Sequence, residues 1–171
     1  MEPEPPFPPY SYVPGGPWPH PTASPSGHSA GQPRVDAPPI EGDDWGRSEA
    51  YLRGIALFNA GYYWEAHESW EALWHAHGRR GPTADLLKGL IKLAAAGVKV
   101  RERQPHGVAT HARRAAEVLS SARSAGGDRR LGLDLPGLIE ACRAIAQAPP
   151  EDPLPRDAPV SPVFDLRIEP S

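Results

Sequence analysis

Proline decides where this chain can be regular. Of its 23 prolines, 13 fall before residue 41 and 7 after residue 148, leaving only Pro82, Pro105 and Pro136 between. A proline in a helix interior removes a hydrogen bond and clashes with the turn before it, so both ends are closed to long helices. The chain therefore divides into a Pro-rich tail over 1–42, a helical domain over 43–148 and a second Pro-rich tail over 149–171. The first tail is Pro, Gly, Ser, His and Tyr with few aliphatic side chains, too little apolar surface to offset the entropy of ordering it, and is expected to be disordered. The second is expected to be disordered as well, apart from Val163 to Ile168, which alternates like a short extended arm that docks on the domain or on a partner.

Within 43–148 the apolar spacing predicts five helices. Ser48 caps the first, which carries Tyr51, Leu52, Ile55 and Phe58 at helical intervals to about Asn59; Gly61 supplies the left-handed stop. The second runs from about Tyr62 to His77. Pro82 suits the first turn of the third, about Thr83 to Arg101, the most hydrophobic segment and the expected centre of the domain. Gln104-Pro105-His106-Gly107 reads as a break before a fourth helix over about Val108 to Ala122, and Pro136 opens a fifth to about Ala148. No segment alternates far enough to predict a sheet. The fold class is all-α, a single antiparallel bundle with short loops.

Charge narrows the function. A formal net charge of −3 and a pI near 6.2 provide no basic footprint, so no nucleic-acid partner is expected. No apolar run approaches the ~18 residues of a membrane span. No basic n-region followed by an apolar stretch opens the chain. The single cysteine, Cys142, rules out an internal disulfide and reads as a small core residue in a reducing compartment, making the cytoplasm the expected location.

One stretch concentrates the chemistry: Trp64-Glu65-Ala66-His67-Glu68-Ser69-Trp70-Glu71-Ala72-Leu73-Trp74-His75. Residues three and four apart on a helix share a face with β-carbons roughly 5–6 Å apart. Glu71 therefore has His67 one turn before it, His75 one turn after and Glu68 beside it. A histidine and a glutamate at i and i+4 can hold one divalent ion, since imidazole nitrogen and carboxylate oxygen ligate zinc, iron or manganese. Glu68, His75 or His111 from another helix would complete such a set, with Trp74 and Trp70 as pocket walls. The same pair serves equally as a metal-free general base, because a neighbouring carboxylate fixes the tautomer of an imidazole and raises its basicity. It also serves as a plain hydrogen-bond network between helices, with Lys88 or Lys92 neutralising the carboxylates. The residues leave these readings open. The first makes the protein a metal-dependent hydrolase of a small-molecule substrate, with His67 and Glu71 as its catalytic residues. The last makes it a non-catalytic scaffold whose Pro-rich tails recruit protein partners.

The pattern Phe58-Asn59-x-Gly61-x-Tyr63-x-Glu65-Ala66-His67-Glu68-x-x-Glu71-x-x-Trp74, followed by Lys88-Gly89-Leu90-Ile91-Lys92-Leu93-Ala94-Ala95, resembles the family known as domain of unknown function 309. Its members are bacterial and archaeal helical bundles with a His-x-x-x-Glu-x-x-Trp motif. The resemblance covers roughly 48–120, more weakly to 148, and leaves both tails outside. It implies a metal-binding role for His67 and Glu71, with Glu65 and Glu68 at the family's acidic positions, in a cytoplasmic protein of unassigned biochemistry. This chain departs from the pattern at Lys88 and Lys92, where the family often has Gln; an ammonium turned toward the cluster would compete with a cation.

Overall fold

The computed structural model describes residues 4–33 and 36–171. Its elements are a 3-10 turn at Trp45–Arg47, then α1 (Glu49–Ala60), α2 (Tyr63–Ala76), α3 (Pro82–Arg101), α4 (Pro105–Gly126), a hairpin of β1 (Arg129–Arg130) and β2 (Leu133–Asp134), and α5 (Leu135–Gln147). Each helix packs on the next: α1 on α2, α2 on α3, α3 on α4 and α4 on α5. Short connections make successive helices antiparallel. As expected, α3 lies centrally, with Leu86, Leu87, Leu90, Leu93 and Ala94 fully buried between α2 and α4.

Local chemistry sets the helix ends. The Ser48 hydroxyl accepts from the Tyr51 amide at 3.3 Å, satisfying one of the free donors of the first turn. Gly61 sits at φ 94°, where the Tyr62 amide reaches back to the Leu57 carbonyl and closes α1. A side chain there would also meet the Ser161 carbonyl of the C-terminal tail, 2.6 Å from the Cβ position. Pro82, Pro105 and Pro136 all stand in first turns, where the missing N–H costs nothing. Pro105 thus begins α4 itself, and that helix is about a turn longer at each end than the break at Gln104-Pro105 suggests. The hairpin is a second departure from sequence expectation. Its strands of two residues are too short to alternate, and its turn places Leu131 and Gly132 at φ 51° and 74°, the doubly positive geometry that suits the twist of paired strands.

The tails differ most from expectation. Residues 4–33 contain no helix or strand, as their composition implies, yet they are laid against the bundle: Tyr10 is buried and its hydroxyl donates to the Pro19 carbonyl at 2.8 Å. The disorder expected for this tail is corrected there; the same expectation over 1–3 and 34–35 lies outside the described residues. The disorder expected for the C-terminal tail is corrected too, since its arm docks on its own domain. Phe164 and Ile168 are buried in the same core as the helices, and Asn59 pairs with the Ile168 backbone through two 2.8 Å hydrogen bonds. Cys142 is fully buried on α5, and burial pushes its thiol up to about 12, which fits an inert core residue.

Candidate functional site

At 100° per residue, His67, Glu71 and His75 form one strip along α2, while Ala66, Trp70 and Leu73 turn into the core. The strip is half-buried and its members meet. His67 Nε2 lies 3.1 Å from Glu71 Oε2, and His75 Nε2 lies 3.6 Å from Glu71 Oε1. His67 Nδ1 lies 3.3 Å from Glu68 Oε1. That last contact lacks hydrogen-bond geometry, leaving Nδ1 buried without a hydrogen-bond partner among the described residues. His67, Glu68 and Glu71 each offer one ligand atom, all within 4.8 Å of one another.

The remaining sequence candidates distribute around this group. Trp74 is half-buried beside it, its ring 5.3 Å from that of His75 and covered by the Arg79 guanidinium at 5.7 Å. Trp70 is not a wall of the cluster: it is fully buried on the α1 side, where its indole N–H donates to the Tyr51 carbonyl at 3.3 Å and its ring packs on Phe58. His111 on α4 faces the cluster without joining the three-ligand group. Burial holds its imidazole below the ordinary range, with Lys92, Lys99 and His67 adding to the effect and Glu102 opposing it. Among the described residues no lysine forms an ion pair with Glu71. Lys99 is turned to Glu102 and Gln104, at 3.0 and 3.2 Å.

A second acidic position, Glu65, has a different fate. It is only 7% exposed, and its carboxylate accepts from Ser11 Oγ at 2.6 Å, from the Tyr12 amide at 3.1 Å and from His28 Nε2 at 2.9 Å. Sequence reasoning missed these partners because they lie 37 to 54 residues away. The local signal was there: a glutamate in the first turn of a helix, where the macrodipole favours negative charge. Two cavities, of about 290 and 420 Å³, lie elsewhere, one between the two tails at Trp18 and Arg156, the other between α4 and α5 at Arg113 and Arg143.

His77 at the end of α2 accepts from the Ile40 amide at 3.0 Å through Nε2, so its imidazole is neutral there. Burial, then Arg130, lowers its pKa from 6.5. His77 and His111 give a signed expectation. Below 6.5 the unfolded chain binds protons on these rings that the folded chain does not, so stability falls with pH until the lowered folded values are reached. Urea midpoints are expected to be lower at pH 5.5 than at pH 7.5, with the difference reduced in His77→Gln. An unchanged difference would mean that other groups carry the effect.

Fold and site together define an all-α bundle whose second helix presents a His/Glu/Glu group of metal-ligand type. A family model described as Domain of unknown function (DUF309) matches residues 51–111, from α1 into α4, and includes every member of that group. Over that span the chain is similar to this family. No curated protein matches it. No helix among the described residues is long and apolar enough to cross a membrane.

Proposed function

We propose that His67, Glu68 and Glu71 hold a divalent metal ion serving hydrolysis of a small substrate. The observation that carries this reading is an imidazole flanked by two carboxylates, with Nε2 3.1 Å from one and a buried, hydrogen-bond-less Nδ1 3.3 Å from the other. A neutral imidazole has one N–H, so one of the two contacts sets a lone pair against an oxygen lone pair. A second proton or a metal cation removes that conflict, and one imidazole with two carboxylates suits zinc, iron or manganese. Such an ion, when bound, supplies Lewis acidity toward a substrate oxygen. Glu71, steadied by His75 on its other oxygen, is the carboxylate placed to take a proton, and His67 orients it. The single inert cysteine supports a reducing compartment, and we assign the protein to the cytoplasm on that ground.

One observation favours a scaffold instead: the whole group comes from one helix, and His67, Glu71 and His75 already pair along it. Elemental analysis of the purified protein separates the two. Stoichiometric transition metal is expected in the parent and none in His67→Ala or Glu71→Ala. With metal stripped by a chelator, both variants should melt close to the parent, because half-exposed i,i+4 pairs are worth only about 0.3–0.5 kcal/mol. Metal absent throughout, with both variants markedly destabilised, would sink the metal reading and favour the scaffold.

A further inference from the structure

Proline carries no N–H, so a protein that reads a proline-rich segment must address its carbonyls, and an extended polyproline helix presents them every three residues with no internal hydrogen bonds. Residues 5–12 of this chain are held in that manner. Arg53 on α1 donates from Nη1 to the Pro5 carbonyl at 2.7 Å and from Nη2 to the Pro6 carbonyl at 2.8 Å. Tyr62, at the corner between α1 and α2, donates its hydroxyl to the Pro8 carbonyl at 3.0 Å. Glu65 on α2 then takes the Ser11 hydroxyl and the Tyr12 amide. The Pro5, Pro6 and Pro8 carbonyls, and after the bend at 9–10 the Ser11 hydroxyl and Tyr12 amide, are thus met in chain order by residues 53, 62 and 65.

The aromatic contacts follow the same order. The Phe7 ring lies under the Arg53 guanidinium at 5.0 Å and beside Tyr62 at 5.1 Å, while Tyr12 meets Trp64 edge-on at 5.6 Å. Aromatic ledges with hydrogen-bond donors to carbonyls are the means by which proline-rich peptides are recognised in general. The segment also lies outside the helix core: residues 4–7 and 9 are exposed, Phe7 remains 42% accessible, and its one buried ring, Tyr10, packs on Trp18 and His28 of the same tail. All four reading residues fall within the family-matched span, whereas the segment being read lies outside it.

We propose that the α1–α2 face formed by Arg53, Tyr62, Trp64 and Glu65 is a receptor for a proline-rich segment of a partner protein, occupied in cis by this chain's own Pro5 to Tyr12. The partner segment presents carbonyls at three-residue spacing, an aromatic side chain between them and a hydroxyl donor beyond them. The tethered segment acts at a high effective concentration, so it masks the face until it is displaced. This assignment is independent of any metal at His67 and Glu71.

The test uses the full chain with a specific protease site inserted between the exposed Pro38 and Pro39. The probe is a fluorescent peptide of residues 4–16. Saturable 1:1 binding is expected after cleavage and dilution, and much weaker binding to the uncut protein. Arg53→Ala or Glu65→Ala in the cut protein should weaken the probe about tenfold or more, as loss of hydrogen bonds to charged groups does, with unchanged helical circular dichroism. Failure of the probe to bind the cut protein, or equal binding to both variants, would overturn the assignment. So would loss of helical signal on cleavage, which would make the segment part of the fold. Dimers of the uncut chain exchanging their segments would overturn the choice of a partner protein in favour of a second copy.

Discussion

Replacing Trp70 with alanine is expected to destabilise the protein by about 3–5 kcal/mol, the largest effect of any single core truncation proposed for it. Trp70 is 0% exposed, its indole lies 5.9 Å from the Phe58 ring, and its N–H is spent on the Tyr51 carbonyl. The ring fits because α1 has no side chain opposite it: a Cβ on Gly54 would fall inside the indole. Truncation therefore leaves a void that helix α1 cannot fill from its own side. Chemical denaturation of Trp70→Ala should show a lower midpoint with the slope kept, and a melting temperature lower by about 2–4 °C per kcal/mol lost. Trp70→Phe should cost less, since most of the apolar volume stays and only the hydrogen bond and part of the ring go. Gly54→Val tests the same fit from the other side, where overpacking costs about 1–3 kcal/mol or more. A near-neutral Gly54→Val would mean that the two helices are not in the tight contact described.

The same residue shows what sequence can and cannot tell. That Trp70 is apolar and faces inward follows from its spacing with Ala66 and Leu73; that it meets a glycine of α1, and so lines no pocket, depends on the crossing of two helices, which spacing does not encode. Local rules located the helices well. Ser48, Gly61 and Pro82 act within one turn of themselves, and their roles follow from backbone chemistry alone. Pro105 obeys the rule applied to Pro82, but the glycine and histidine after it masked a helix start. The His67/Glu71 pair was legible for the same reason of locality, since i and i+4 are neighbours on any helix. Docking of the N-terminal tail was not legible. Its composition says only that it cannot build a core, whereas its anchorage is a handful of polar contacts to Arg53, Tyr62 and Glu65, across a sequence gap that has no period.

Arg101→Ala is expected to be the most damaging charge substitution, at about 3 kcal/mol or more, because it strands a buried carboxylate. Arg101 at the end of α3 donates from Nη1 to both oxygens of Asp152 at 2.8 Å, and the Asp152 side chain is 0% exposed. The Leu154 amide supplies one further donor at 3.1 Å, which is too little to hold an uncompensated charge. The tail around Asp152 could peel into water to relieve the cost, but Phe164 and Ile168 anchor it further along, so local opening cannot spread freely. Asp152→Ala should cost less: the guanidinium left behind is at the surface end of the pair and keeps the Pro155 carbonyl at 3.3 Å. The double variant should therefore be more stable than Arg101→Ala alone, since it removes the stranded charge. Denaturation of the four proteins in a double-mutant cycle measures this directly. Single effects that add to within about 0.5 kcal/mol would show that the pair is not coupled, and that the C-terminal tail is held by its apolar anchors without help from the charge.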